Sequence, residues 1–183
     1  MPDSGSIPPA LVFRDRVRAS DTETVRDIVS STDFFNSEEV DVAVSLVEEH
    51  LRTGESGGYS FVFAELGGRG LGYACYGRIP GTRESYDLYW IAVRPNAQGL
   101  GIGRRLLVEA EERIFSAGGG RVYIETSERE LYRKTRAFYR HAGYRKAALL
   151  EDFYGPGDAK VIYLKVLRPM QDHSDDGHPR VER

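Results

Sequence analysis

The stretch that decides the fold is VRPNAQGLGIGRRLLVEAEERI, residues 93–114. Gly99, Gly101 and Gly103 stand where the amphipathic run that follows should begin as a helix, although glycine costs a helix interior roughly 1 kcal/mol relative to alanine. The first N–H groups of a helix have no backbone partner, and the helix dipole makes that end positive. Glycines let an anion approach those groups closely. The stretch therefore predicts a phosphate cradle, with a tight strand-to-helix connection as the alternative.

Two familiar phosphate motifs fit this stretch poorly. A Walker loop ends in Gly-Lys-Ser/Thr, whereas this one ends in Gly103, Arg104 and Arg105. A dinucleotide fingerprint opens the first βαβ unit of a domain, whereas these glycines lie in the middle of the chain with the spacing G-x-G-x-G. Either of the two arginines can add positive charge to the cradle.

The hydrophobic pattern predicts an α/β fold with the element order β-α-α-β-β-β-α-β-α-β-β. The first strand is predicted over residues 11–19, and Ser20 or Asp21 is predicted to cap the first helix. The last helix is predicted over residues 130–143. The last two strands are predicted on either side of a loop with the sequence EDFYGPGD, residues 151–158.

The composition is that of one ordinary globular domain. The chain has 183 residues, a net charge of −3 and 40% hydrophobic residues. We expect no nucleic-acid or membrane partner, because there is no basic surplus and no polybasic block. A single cysteine, Cys75, and the lack of a recognisable signal peptide or apolar span favour a cytoplasmic protein. Residues 1–10 and 169–183 are predicted to be disordered tails around a domain at residues 11–168.

Two motifs resemble the signatures of the GNAT N-acetyltransferase superfamily. QGLGIG, residues 98–103, resembles the coenzyme A signature Q/R-x-x-G-x-G/A, and FYRHAGY, residues 138–144, resembles the second signature, F/L-Y-x-x-x-G-F/Y. The resemblance implies the acyl-CoA N-acyltransferase fold, a mixed twisted sheet of about seven strands flanked by about four helices. It also implies transfer of an acetyl group from acetyl-CoA to a primary amine. The segment EDFYGPGDAKVIYLKVL resembles the last hairpin of ribosomal-protein N-terminal acetyltransferases.

The resemblance also implies a set of cofactor contacts. The pyrophosphate is expected on the amides of residues 99–104, and the pantetheine along a strand that splays away from its neighbour. The N–H of Ile91 is expected to stabilise the oxyanion of the thioester carbonyl. Many family members have an asparagine where this sequence has Tyr132, so the start of the last helix is expected to differ. The residues expected to contact acetyl-CoA are Ile91, Ala92, Val93, Gln98, Gly99, Leu100, Gly101, Ile102, Gly103, Arg104, Tyr132 and Arg136.

Acetyl transfer to an amine needs an acid for the departing sulfur and a base for the amine. Tyr139 matches the tyrosine of the second signature and is the expected acid. Two carboxylates align with bases used in the family, Glu125 in YIETS and Asp87 in SYDLYWIAV. Each stands in an otherwise apolar strand, where a charge costs free energy unless it is paired or solvated. The choice between Glu125, Asp87 and a water relay stays open.

In this fold the acceptor is expected opposite the cofactor, between STDFFNSEEV, residues 31–40, and EDFYGPGD. Both segments combine aromatic and acidic residues, which suits a cationic amine with an apolar part, although Glu38 and Glu39 equally suit a helix N-terminus. The residues expected to contact the acceptor are Phe34, Phe35, Glu39, Phe153 and Tyr154.

We expect a small-molecule amine as the acceptor. A protein N-terminus or lysine is the alternative, and a non-catalytic acetyl-CoA-binding regulatory domain is the second alternative. The histidines have no metal-ligand spacing, so no metal site is expected. A homodimer is left open.

Overall fold

A computed structural model describes residues 10–167. The predicted tails therefore lie outside the described residues, apart from residue 10. The strands are β1 Leu11–Arg14, β2 Ser60–Leu66, β3 Arg69–Arg78, β4 Ser85–Val93, β5 Arg121–Ser127, β6 Arg145–Gly155 and β7 Asp158–Val166. The helices are α1 Asp21–Ser30, α2 Ser37–Thr53, α3 Ile102–Ser116 and α4 Arg133–His141. The predicted element order and the mixed α/β class are confirmed.

The seven strands form one mixed sheet with the order β1-β2-β3-β4-β5-β7-β6. Neighbouring strands are antiparallel except for β4 and β5, which are parallel. A parallel pair needs a crossover connection, and α3 supplies it. The glycine stretch therefore lies at the end of β4, where the chain leaves the sheet for the crossover helix.

Helices cover both faces of the sheet. In β2, Phe61 and Phe63 point to one face and Val62 and Ala64 to the other, and all four side chains are buried. The layer on the first face is completed by residues of α1 and α2, namely Val25, Ile28, Val29, Val40, Ala43, Val44 and Val47. The layer on the second face is completed by residues of α3 and α4, namely Ile102, Leu106, Leu107, Ala110, Ile114 and Tyr139. Within residues 10–167, no helix has the length and apolar character needed to cross a membrane.

The first strand is shorter than predicted, because an ion pair turns the chain. β1 ends at Arg14, whose guanidinium lies 2.8 Å from Asp21 and 2.6 Å from Glu65. The Asp21 carboxylate also accepts the N–H of Arg18 at 2.7 Å. The residues between Arg14 and Asp21 therefore bend around this carboxylate instead of extending the strand to residue 19. Ser20 occupies the cap position of α1 but makes no side-chain cap hydrogen bond.

The predicted loop EDFYGPGD is mostly strand. β6 continues to Gly155, which pairs with Asp158 and leaves a two-residue turn at Pro156 and Gly157. Asp152 has a φ of 52°, and its carboxylate accepts the N–H of Gly157 at 2.7 Å. The prediction of a loop over residues 151–158 is therefore wrong, because the Gly-Pro-Gly sequence forms only the tip of a hairpin.

Candidate active site

The glycine stretch forms an open cradle of free amides. Gly99 and Gly101 have φ values of 79° and 77°, and a Cβ atom on either would meet nothing within 4 Å. α3 begins directly afterwards, with Gly101 at its cap position. Within residues 10–167, no backbone N–H from residue 99 to residue 104 donates a hydrogen bond. Gly103 differs, because a Cβ there would make ordinary contacts at 3.7 Å with Val93.

These amides fit a phosphate group. They lie at the positive end of a 15-residue helix, and Gly99, Gly101, Ile102, Gly103 and Arg104 all line one cavity, a setting that suits an anion. The side chain of Gln98 donates to the carbonyl of Val93 at 3.1 Å and so ties the rim of the cradle to β4.

The sheet opens between β4 and β5, as the family resemblance implies. The two strands pair only where Ser85, Tyr86 and Asp87 face residues 121–123. Beyond Asp87 the strands separate. On the other side of β4, Cys75 pairs with Trp90 and Tyr76 with Leu88, so Tyr89 is the extra residue of a β-bulge. A bulge bends its strand and increases its twist. The backbone of residues 91–93 is therefore left without a strand partner on the β5 side.

Two cavities meet at this opening. The cradle cavity, 490 Å³, is lined by Ile91, Val93, Ala97, Gln98, Gly99, Gly101, Ile102, Gly103, Arg104, Lys134, Thr135, Phe138 and Tyr139. The aromatic cavity, 650 Å³, is lined by Thr32, Phe34, Phe35, Glu39, Tyr89, Trp90, Ile91, Ala92, Val93, Gln98, Glu125, Thr126, Ser127, Arg129, Tyr132, Lys134, Thr135, Tyr139, Tyr154 and Asp158. Six residues line both cavities: Ile91, Val93, Gln98, Lys134, Thr135 and Tyr139. The two cavities are therefore adjacent, with the Tyr139 side chain between them.

Tyr139 stands at the junction of the two cavities. Its ring is buried and packs near Tyr144 and Tyr163, with ring centroids 6.0 and 6.1 Å away. Its hydroxyl makes no hydrogen bond to any side chain of residues 10–167. Burial raises the pKa of Tyr139, so the phenol keeps its proton at neutral pH. The hydroxyl is thus a protonated donor without a competing protein partner.

The two candidate bases interact electrostatically across the opening. Burial, and then the charge of Glu125, raises the pKa of Asp87 to about 6, while Lys160 opposes the shift. Glu125 lines the aromatic cavity, and its carboxylate is 2.5 Å from the Lys160 ammonium. Asp87 does not line either cavity among the described residues. Glu125 therefore borders the aromatic cavity but is ion-paired with Lys160. Asp87 is more basic than an ordinary aspartate but does not line the cavity.

Aromatic side chains form the walls of the larger cavity. Phe34, in the connection between α1 and α2, lies edge-on to Tyr132 with the ring centroids 6.2 Å apart. Phe35 packs against Trp90 at 4.9 Å. On the β7 side, Asp158 accepts from Ser127 at 2.5 Å and pairs with Arg129 at 3.0 Å. The contact between Phe34 and Tyr132 joins two distant segments across one side of the cavity.

Four of the site residues predicted from the sequence do not line either cavity. A fifth lines the aromatic cavity but already makes hydrogen bonds within the protein. Leu100 is 72% exposed beside the cradle. Arg136 donates to the carbonyls of Ser127 and Arg129 at 2.9 and 2.7 Å, so it positions the segment between β5 and α4. Phe153 packs over the Lys160 ammonium at 3.7 Å, and Asp87 is set back as described. Glu39 lines the aromatic cavity but also completes a capping box with Asn36 at the start of α2.

Sequence analysis missed several lining residues. Lys134 and Thr135 line both cavities, and Thr135 lies four residues before Tyr139, on the same face of α4. That helical spacing was a signal that could have identified Thr135. Thr126 and Trp90 line the aromatic cavity, and the buried hydroxyl of Thr126 has no hydrogen-bond partner within residues 10–167. No group of histidine, cysteine or acidic residues in the described range could hold a metal ion.

The sequence matches one protein family and is similar to members of it. The profile of the Acetyltransferase (GNAT) family matches residues 22–144. Over 106 residues the chain is 38% identical to N-alpha-acetyltransferase RimI of Mycobacterium tuberculosis, covering 57% of this chain and 64% of that protein. Over 105 residues it is 32% identical to an uncharacterized N-acetyltransferase of Methanocaldococcus jannaschii, covering 57% and 65%. The chain thus spans just under two thirds of the length of these curated relatives.

Solved structures share the whole fold. A protein of Desulfovibrio desulfuricans described as a GNAT-family acetyltransferase has a TM-score of 0.85 and 47% identity, covering 86% of this chain and 99% of that one. An aminoglycoside 6'-N-acetyltransferase complexed with coenzyme A has a TM-score of 0.68 and 18% identity, covering 88% and 99%. The second likeness concerns the fold alone.

Proposed function

This chain belongs to the GNAT acetyltransferase family, and we propose that it transfers the acetyl group of acetyl-CoA to the primary amine of a small molecule. The observation that carries the proposal is that the two cavities adjoin and share six lining residues, Tyr139 among them. The cradle cavity contains free backbone amides that suit a phosphate group. The aromatic cavity has aromatic and acidic walls that suit an amine. A direct transfer needs both ligands on the enzyme at once, and the opening between β4 and β5 offers room for both.

Acetyl-CoA, when bound, supplies an acetyl group activated as a thioester. The amides of residues 99–104 would hold its pyrophosphate, assisted by the positive charges of Arg104 and Lys134, which both line the cradle cavity. The backbone of residues 91–93, which has no strand partner on the β5 side, would hold the pantetheine amides. An N–H of the same strand would donate to the thioester oxygen, as in other oxyanion sites.

Tyr139 would donate its phenol proton to the departing sulfur. Its position at the cavity junction and its raised pKa support this role, because an acid must hold its proton until the C–S bond breaks. A hydroxyl already bonded to a protein carboxylate, such as that of Tyr144 on Glu111 at 2.9 Å, would be less free to move its proton.

Asp87 would accept the proton of the attacking amine through water. Its pKa of about 6 leaves it mostly ionised at pH 7 and closer to the amine in basicity than an ordinary carboxylate, which is what a general base needs. Glu125, held by Lys160 at 2.5 Å, would orient the amine or the water at the cavity wall. The lining of the aromatic cavity, which includes Glu125 but not Asp87, supports these two roles.

The shape of the aromatic cavity supports a small acceptor. Its volume of 650 Å³ lies within the range of roughly 300–1,000 Å³ that is usual for small-molecule sites, and it includes the space between β4 and β5. The contact between Phe34 and Tyr132 bounds it on one side. Two of its acids are paired, Asp158 with Arg129 and Glu125 with Lys160, so the walls select less strongly for cations than the sequence suggested.

A peptide N-terminus is the second candidate acceptor. Two observations favour it: the 38% identity to N-alpha-acetyltransferase RimI, and the two-residue turn between β6 and β7, which leaves no inserted loop to close the site. A peptide would enter past Tyr154 and continue over the β6–β7 hairpin.

Calorimetric titration of the protein with acetyl-CoA tests the first half of the proposal. Dephospho-CoA and NAD are the comparators, because NAD has a pyrophosphate but no pantetheine. Selective binding of acetyl-CoA is expected, and equal binding of NAD would contradict the pantetheine site. Release of free thiol with a panel of small primary amines and of short peptides then tests the acceptor. Turnover with peptides alone would replace the small amine by the second candidate.

A further inference from the structure

The aromatic cavity has three acidic residues in its wall, and the protein itself pairs two of them with cations. Glu125 pairs with Lys160 at 2.5 Å, and Asp158 pairs with Arg129 at 3.0 Å. The third acid is Glu39, and no lysine or arginine of the described residues forms an ion pair with it. A carboxylate that lines a cavity without a cationic partner favours a positively charged ligand at that place.

The hydrogen bonds of Glu39 fix its side chain and leave one carboxylate oxygen free. Its backbone N–H donates to the Asn36 side chain at 2.9 Å, and its Oε2 accepts the Asn36 N–H at 2.9 Å. These two bonds form the capping box of α2. Oε1 accepts no hydrogen bond from the part of the chain that the structure describes. The dipole of α2 offsets only about half an elementary charge, so the carboxylate remains negative toward the cavity.

Two aromatic rings lie on the same side of the cavity as this carboxylate. Phe34 and Tyr132 both line the cavity, and their rings meet edge-on with the centroids 6.2 Å apart. Burial, and then the charge of Glu39, raises the pKa of Tyr132, while Arg129 opposes the shift. The Glu39 carboxylate therefore acts on the Tyr132 side of the cavity. Aromatic rings attract ammonium groups, so the rings and the carboxylate favour the same kind of ligand.

We propose that Glu39, Phe34 and Tyr132 form a subsite for the second ammonium group of a diamine acceptor. The inference rests on the proposed function, because it adds a second contact to the amine that attacks acetyl-CoA. The attacking amine must be neutral, whereas the distal amine keeps its proton at neutral pH and pairs with Oε1 of Glu39. A monoamine of equal length would place a methyl group against that oxygen.

The cations in the cavity wall do not occupy this subsite. Arg129 and Lys134 are the two cationic residues among the described residues that line the aromatic cavity. Arg129 is paired with Asp158. Lys134 also lines the cradle cavity, where the pyrophosphate of acetyl-CoA would offset its charge. With acetyl-CoA bound, the negative charge of Glu39 is therefore left for the acceptor to balance.

The release of free coenzyme A thiol with matched acceptors tests the subsite. The acceptors are a series from diaminopropane to diaminooctane, each compared with the alkylamine of equal length, such as diaminobutane with pentylamine. The two members of a pair differ only in the exchange of a terminal ammonium for a methyl group. At the length that spans both positions, the wild type is expected to prefer the diamine about tenfold in kcat/KM, beyond the statistical advantage of its two equivalent amines.

Two variants separate the charge of Glu39 from its role in the cap of α2. Glu39→Gln removes the charge, and glutamine also completes a capping box. This variant is expected to lose the diamine preference. Glu38→Gln removes a charge from the same first turn, but Glu38 is exposed and does not line the cavity, so the preference is expected to remain. Comparing the preference between variants cancels the difference in amine pKa between diamines and alkylamines.

The outcomes distinguish the subsite from the reaction. If alkylamines react as efficiently as diamines at every length, the subsite is overturned and the proposed reaction stands. A diamine preference that survives in Glu39→Gln would place the distal ammonium elsewhere and overturn the assignment of Glu39. If the protein binds acetyl-CoA but turns over neither kind of amine, the small-amine acceptor is refuted, and the subsite with it.

Discussion

The ammonium of Lys160 lies 2.5 Å from a carboxylate oxygen of Glu125 and 3.7 Å from the centre of the Phe153 ring. The side chain is only 12% exposed, so its charge acts in a poorly solvated place where Coulomb interactions are strong. Lys160 therefore sets the charge balance of the whole carboxylate pair at the opening between β4 and β5.

Lys160→Met is expected to shift the pH dependence of the reaction. Lys160 lowers the pKa of Asp87 against the raising effects of burial and of Glu125. Without the ammonium, the pKa of Asp87 rises above about 6, so the acidic limb of kcat/KM moves to higher pH. The pH profile of kcat/KM measures this shift. Arg52→Met removes a cation from the surface pair with Glu49 and is expected to leave the profile unchanged; a shift to lower pH in Lys160→Met would contradict the assignment of Asp87.

Two buried tyrosines are expected to have different roles, Tyr139 in catalysis and Tyr144 in stability. The hydroxyl of Tyr144 donates to the buried Glu111 at 2.9 Å, whereas that of Tyr139 has no side-chain partner among the described residues. Tyr139→Phe is expected to lower kcat by about 10² with unchanged acetyl-CoA affinity and nearly unchanged stability. Tyr144→Phe is expected to cost about 1–2 kcal/mol of unfolding free energy with nearly unchanged kcat. Steady-state kinetics and urea unfolding measure the two effects, and full turnover in Tyr139→Phe would remove it as the acid.

Gly101→Asp is expected to abolish tight binding of acetyl-CoA without unfolding the protein. Gly101 has a φ of 77° and open space at its Cβ position, so the substitution adds a negative charge to the cradle at the cost of backbone strain alone. Gly81→Asp is the matched control, because Gly81 has the same φ and the same open space in the turn before β4. Calorimetry is expected to show at least roughly a tenfold loss of affinity, about 1.4 kcal/mol, in the first variant only. Equal affinities in the two variants would refute the cradle.

The sequence predicted the elements well because their periodicity is local. β2 alternates between the two faces through Phe61 and Val62, and α2 repeats Val40, Val44 and Val47 on one side, patterns that need no knowledge of the partner. The order of the elements and the position of the cradle followed from such patterns and from Gly101.

The sequence did not predict features of the structure that depend on contacts with residues far away in the chain. β1 stops at Arg14 because Asp21 and Glu65 hold its guanidinium, and no periodicity within β1 reveals that pair. The bulge at Tyr89 and the end of the β4–β5 pairing at Asp87 likewise depend on register with β3 and β5. For the same reason, the sequence could name both carboxylates but could not show which one an ion pair engages.

Asp87→Asn is expected to stabilise the protein in a way that depends on pH. The pKa of Asp87 is raised to about 6 from an unfolded value near 3.8, so the folded state binds the proton more tightly than the unfolded state. The wild type therefore loses stability as pH rises from about 4 to about 6, and the penalty for the ionised carboxylate is full above that window. Because the group is half exposed, solvent screening reduces the penalty to about 1 kcal/mol.

Urea unfolding at pH 4 and at pH 7.5 measures this difference. Asp87→Asn is expected to gain about 1 kcal/mol over the wild type at the higher pH and to match it at the lower pH. Asp27→Asn is the control, since the Asp27 side chain is 66% exposed with a loose contact of 3.5 Å to Arg94 and should gain nothing at pH 7.5. A gain in Asp87→Asn that is equally large at pH 4 would mean that packing or hydrogen bonding, rather than the buried charge, accounts for it. A loss at pH 7.5 would mean that the ionised carboxylate of Asp87 is stabilised in the folded protein, and the basis for its role as the base would be gone.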